Sequence, residues 1–260
     1  MRLALNYSPQ AAGLLQEGSV TFDLWKCPDW PDLIATAKEQ LPVYIHFGLL
    51  AGRGDLDTVN WERIEELRAQ TDTPYVNLHL TPRANDLGLN KNGVIRQLIR
   101  EVEFVVKRFG AERVIAENAP FPEPVYGTSR LAAEQQVIRR VMDETGCGFL
   151  LDLSHARMAA RGLGLDEREY ISALPVDRLC ELHITGLEYM EQELHDHMPM
   201  REDDWPITEW AMRQIQTGQW ARPWVVAIEY GGIGPIFERR SEAPVIAADV
   251  PRLHELVKGV

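Results

Sequence analysis

Eight short apolar or β-branched runs recur along the 260 residues, separated by longer amphipathic stretches. That alternation suits a parallel sheet wrapped by helices, because each parallel strand must be reached through a crossover. The runs are RLALNY (2–7), VTFDLW (20–25), PVYIHF (42–47), PYVNLHL (74–80), RVIAEN (113–118), GFLLDL (148–153), RLCELHI (178–184) and WVVAIEY (224–230). Helical patterns are clearest at 59–70, 91–109, 130–145, 206–217 and 246–258; in the first, Val59, Ile64 and Leu67 can share a face. Right-handed crossovers then close a single (β/α)8 TIM barrel of the α/β class, spanning 1–260 as one domain. No Pro-, Gly- or Ser-rich linker divides the chain, and the longest irregular segment is expected at about 185–205.

Charge narrows the class of partner. With 27 basic against 39 acidic residues the formal charge is −12, which disfavours bulk nucleic-acid binding. Cys27, Cys147 and Cys180 lie far apart without a Cys-x-x-Cys spacing, which fits a reduced cytoplasm better than a disulfide framework. The first residues, MRLALNYSPQ, lack the long apolar run of a signal peptide, and no stretch of eighteen apolar residues occurs. A cytoplasmic protein without a membrane span is expected.

Six of the seven histidines, His46, His79, His155, His183, His195 and His197, fall at or just past the carboxyl end of an expected strand, and His254 does not. Barrel enzymes build their sites at that face. Carboxylates close strands in the same way, Glu117 the fifth, Asp152 the sixth and Glu229 the eighth, and each would be costly to bury unpaired. One histidine in a strand is more often hydrogen-bonded and structural than a ligand. Six independent structural histidines would not select the same strand ends. Neutral imidazole and ionised carboxylate match zinc, iron and manganese, and nine such residues exceed what one ion uses. Two or three bridged transition-metal ions are the expectation.

Other patterns carry less. Gly52-Arg53-Gly54 and Gly231-Gly232-Ile233-Gly234 lack the Lys-Ser/Thr of a phosphate loop and read as turns. Ser154 has no Gly-x-Ser-x-Gly elbow. Trp25 and Cys27 read as packing beside the pocket rather than lining it.

HFGLLAG, IAENAPF, LLDLSH, ELHITG, HDHMP and the IEY closing strand eight resemble the multinuclear non-heme iron-dependent oxidases, the family that includes the methanobactin-biosynthesis enzyme. This family lies within the xylose isomerase-like superfamily of barrels. The resemblance implies iron ligands at His46, His79, Glu117, Asp152, His183, His195 and Glu229. It departs at His155, where that family usually carries Asn, and its Asp-x-His pair aligns either to Glu193 and His195 or to His195 and His197. A second resemblance, to the endonuclease IV family of three-zinc phosphodiesterases, rests on Asp152-x-x-His155 followed by ARMAARG, but that family has Asp-x-His where His195-x-His197 stands.

The oxidase resemblance implies dioxygen chemistry on a cysteine-containing peptide or small-molecule substrate, with a small substrate-recognition partner protein. Iron is the expected metal, and zinc or manganese suits the same donors. His155, His195 and His197 are expected either to complete a second or third metal site or to relay protons, with His195 and His197 the catalytic candidates. The alternatives are the three-zinc phosphodiesterase and a sugar isomerase or epimerase using divalent ions.

Overall fold

The first strand begins at Arg2, and its burial shows why such apolar runs become strands. Leu3, Ala4 and Leu5 are all fully buried, as expected for a parallel strand covered on both faces. The structure is a computed structural model describing residues 1–83, 90–122, 127–234 and 240–259.

In chain order the strands are β1 (Arg2–Asn6), β2 (Leu24–Cys27), β3 (Val43–Ile45), β4 (Leu50–Ala51), β5 (Val76–Leu80), β6 (Val114–Glu117), β7 (Gly148–Asp152), β8 (Leu179–Ile184), β9 (Gly186–Met190), β10 (Glu193–Met198) and β11 (Val225–Ile228). The helices are α1 (Pro9–Gln16), α2 (Pro31–Lys38), α3 (Trp61–Thr71), α4 (Lys91–Phe109), α5 (Gln135–Thr145), α6 (Leu153–Leu163), α7 (Glu167–Ser172), α8 (Trp205–Gln216) and α9 (Ala243–Lys258).

Two compact units divide these elements, one of Met1–His46 with Glu181–Val260 and the other of Phe47–Cys180. In the first unit five parallel strands run in the order β3-β2-β1-β11-β8, with Leu5 opposite Ile228 and Ile228 opposite Ile184. Trp25 of β2 is fully buried, edge-on to Tyr7 at 5.0 Å and Phe22 at 4.6 Å between ring centres. It therefore packs in the core, as its sequence context suggested.

In the second unit four parallel strands run β7-β6-β5-β4, with His79 opposite Glu117. One face of α4, including Val94, Leu98, Val102 and Val105, is buried at the three- and four-residue spacing expected of an amphipathic helix. Side-chain caps set several helix starts: Ser8 accepts from Ala11 N at 3.2 Å, Asn60 from Arg63 N at 3.0 Å and Asn90 from Gly93 N at 3.0 Å.

Several boundaries differ from the sequence expectation, and three of them have a clear physical cause. The ladder of the second strand starts at Leu24, not at residue 20; Val20 and Phe22 are buried, with Phe22 packed on Trp25, so side-chain packing imitates a strand pattern. The sixth strand ends at Asp152 and α6 starts at Leu153, because the Asp152 side chain caps that helix. The stretch expected to be irregular at about 185–205 contains an antiparallel hairpin of β9 and β10, closed through Glu191 at φ 59°. At the base of that hairpin Gly186 lies against Pro199, whose carbonyl a Cβ would strike.

Candidate metal centre

Alternate residues of a strand share a face, and this rule assembles the donors of the first unit. Glu181 and His183 are two apart on β8; Tyr44 lies on β3 and His46 follows two residues later, just past its end. His183 Nε2 is 2.8 Å from Glu181 Oε1, and the Tyr44 hydroxyl donates to that same oxygen at 2.9 Å. The His46 and His183 rings are centred 5.1 Å apart. His46, Glu181 and His183 each offer a ligand atom, all within 4.8 Å of one another, so their donor chemistry and spacing fit a divalent transition-metal ion.

Glu229, the residue after β11, joins the same group. Its Oε1 lies 3.1 Å from His183 Nδ1 and also accepts a hydrogen bond from Lys26 Nζ of β2. Lys26 and Glu229 are both buried. Burial disfavours the Glu229 carboxylate, but His183 and Lys26 beside it hold its pKa well below the usual range. Burial and the nearby Lys26 oppose charge on His183, yet the Glu229 carboxylate and the hydrogen bonds His183 donates to Glu181 and Glu229 push its pKa up to about 10.

The second unit presents its own set at the ends of β5, β6 and β7. His79 Nε2 is 3.1 Å from Glu117 Oε2, and His155 Nδ1 is 3.5 Å from Glu117 Oε1. His155 Nε2 stands 3.8 Å from Asp152 Oδ2, while the other Asp152 oxygen accepts the His155 backbone N–H at 2.7 Å. Asn118 fixes the start of α6: its amide donates to Asp152 O and its Oδ1 accepts from Asp152 N, each at 2.9 Å.

Three histidines share one arrangement. Nδ1 of His79 lies 3.1 Å from Leu49 O, that of His155 3.0 Å from Asn118 O and that of His197 2.7 Å from Glu229 O. A backbone carbonyl only accepts, so in each ring Nδ1 carries the proton and Nε2 is the atom left to bind. Each Nε2 faces a carboxylate oxygen: Glu117 at 3.1 Å, Asp152 at 3.8 Å and Asp196 at 3.9 Å. A metal ion or a proton between them reconciles each such pair. Metal-ligating histidines are oriented in the same way, by a carbonyl on the far nitrogen.

The two histidines of the HDH segment separate in the structure. His195 sits in regular register opposite Glu188, whereas the ladder shifts between His195 and Met198 and His197 takes φ 54°. That irregularity turns His197 to the Glu229 carbonyl. His254 lies in α9. The glycine turns hold protein groups: Gly52 N and Gly54 N donate to the Glu101 carboxylate at 2.6 and 3.0 Å, and Gly232 N to Ser241 Oγ at 3.0 Å. Burial pushes the Cys27 thiol up to about 12, far from an activated nucleophile.

Glu181, Lys26 and Tyr44 were absent from the sequence-derived ligand set. Glu181 was visible in principle, two residues before His183 on one strand face. Lys26 was not, since nothing in its local sequence marks a buried ammonium.

Residues 27–220 match the family described as RiPP precursor modification enzyme MbnB/TglH/ChrH. The chain belongs to that family. Among its relatives, a UPF0276 protein of Caulobacter vibrioides is 24% identical over 222 residues, covering 82% of this chain and 74% of its own. Another, from Acaryochloris marina, is 25% identical over 191 residues, 68% of each chain. A xylose isomerase domain containing protein of Salmonella typhimurium superposes with a TM-score of 0.59 at 16% identity, covering 99% of this chain and 97% of that one. A D-tagatose 3-epimerase-like protein gives 0.63 at 13% identity, covering 100% and 99%. At these identities the likeness shows fold alone: the fold class is the xylose isomerase-like α/β TIM barrel expected from the strand and helix alternation.

Proposed function

We propose that this chain is a multinuclear metal-dependent oxidoreductase, with iron as its metal, dioxygen as oxidant and a cysteine-containing peptide as substrate. The observation carrying the reading is the shared histidine arrangement, Nδ1 on a carbonyl and Nε2 toward a carboxylate, in a chain of the RiPP precursor modification family. Each unit has its own donors, which supports more than one ion per chain. His46, Glu181 and His183 would hold an ion in the first unit, and His79, Glu117, Asp152 and His155, paired side by side, would do so in the second.

Bound iron would supply one-electron chemistry toward dioxygen and an open position for a substrate thiolate. The protein's own part is to orient and to move protons. The carbonyls of Leu49, Asn118 and Glu229 lock three imidazole tautomers. His197, half-buried beside Asp196, would pass a proton, with His195 on the same hairpin as a second candidate. Iron-loaded protein should consume dioxygen only when a cysteine-containing peptide is added, and a serine-substituted peptide should be inert; equal consumption with both peptides would sink the oxidase reading. A small recognition protein presenting the peptide and a cytoplasmic location belong to the same proposal. Among the described residues no helix is long and apolar enough to cross a membrane.

A further inference from the structure

Lys26 is unusual in its setting. Its side chain is 6% exposed, and its ammonium is spent on one oxygen of Glu229 inside the donor set of the first unit. Burying an ammonium is costly unless a carboxylate meets it at hydrogen-bond distance, and here one does. Glu229 Oε1 is thus engaged twice, by Lys26 and by His183 Nδ1 at 3.1 Å. An oxygen so engaged has little lone-pair capacity left for coordination, and a divalent ion beside an ammonium would meet like-charge repulsion.

On the reading that the first unit binds metal, we propose that the Lys26 ammonium occupies a cation position on Glu229 that a metal ion would otherwise take. The first unit then binds a single ion, on His46, Glu181 and His183, while Glu229 orients His183 from outside that ion's shell. Charge supports the division. Glu181 and Glu229 bring two negative charges to this set, and one divalent ion with one ammonium already exceeds them by one, so a second divalent ion would only add uncompensated charge. A lysine is bound covalently and cannot be lost by dilution, so it fixes the ion count of the unit whatever the metal supply.

The test replaces the cation while leaving its carboxylate. Lys26→Met removes the ammonium, Lys26→Gln removes the charge but keeps a donor for Glu229, and Lys26→Arg keeps the charge. Lys26→Met combined with Glu229→Gln removes both charges. Mn2+ alone is the probe, followed by calorimetric titration, by elemental analysis after gel filtration and by thermal unfolding with chelator or with metal. Lys26→Met and Lys26→Gln should each bind one more equivalent than wild type, and Lys26→Met should melt lower in chelator and recover on Mn2+ addition by more than wild type gains. Lys26→Arg and the double variant should match the wild-type count. Unchanged stoichiometry in both Lys26→Met and Lys26→Gln would overturn the inference while leaving the metal reading intact. A wild type without metal whose Lys26→Gln form gains one ion would do the opposite.

Discussion

Asp152 holds His155 at two points: one carboxylate oxygen accepts the His155 backbone N–H at 2.7 Å, and the other faces His155 Nε2 at 3.8 Å. The same side chain therefore starts α6 and presents an acceptor to the imidazole. Asparagine can do the first and not the second. Asp152→Asn should keep the wild-type melting temperature in chelator and lose at least tenfold in metal affinity, whereas Asp152→Ala should also lose about 1 kcal/mol with its cap. Equal metal affinity in wild type and Asp152→Asn would remove Asp152 from the ligand set.

His155→Asn tests the neighbouring position, where the resembled oxidases usually carry Asn. The His155 ring bonds the Asn118 carbonyl through Nδ1 and turns Nε2 to Asp152, and a shorter amide cannot span both. The variant should retain ions held by the other donors and bind one ion more weakly, because a neutral amide oxygen is a poorer transition-metal ligand than imidazole. Identical stoichiometry and affinity would leave His155 a structural residue.

Glu181 was not anticipated as a ligand, and its replacement separates coordination from packing. Glu181→Gln should cost about one equivalent of metal, since it removes the only carboxylate of the His46–Glu181–His183 group. Tyr44→Phe removes one hydrogen bond to Glu181, should lower stability by about 1 kcal/mol, and should leave the ion count unchanged. A full ion count in Glu181→Gln would exclude it as a ligand.

Asp249 makes stability fall as pH rises. Burial, with Asp204 nearby, pushes its pKa up to about 6, against the opposing pull of the Met200 backbone N–H and Arg252. The folded chain then binds this proton more tightly than the unfolded chain, whose carboxyl has the ordinary value of 3.8. The stabilising contribution is full below that value and is lost as pH climbs toward about 6. Asp249→Asn keeps an acceptor for Met200 N and should melt higher than wild type at pH 7, by about 1 kcal/mol after allowance for solvent screening, with the difference vanishing near pH 4. A constant difference across that range would assign the effect to packing.

The fold was readable because parallel strands buried on both faces leave apolar runs, and the strand-end histidines and carboxylates followed from the same registers. The β9–β10 hairpin was not, since EYMEQELHDHM is polar and its turn rests on Glu191 at positive φ rather than on a glycine. Between a Glu193–His195 and a His195–His197 pair residue spacing could not choose, and the ladder irregularity that sets the two histidines apart leaves no mark in the sequence. Lys26 and Glu229 lie 203 positions apart, and their pairing is a product of the sheet order.

The central claim is that each unit holds metal through its own donors, and the number of ions per chain tests it most directly. Protein purified anaerobically and loaded with iron should retain more than one ion per chain after gel filtration. Glu181→Ala and Glu117→Ala should each lower that number, and His254→Ala should not. Less than about half an equivalent of every transition metal in the loaded wild type would contradict the account.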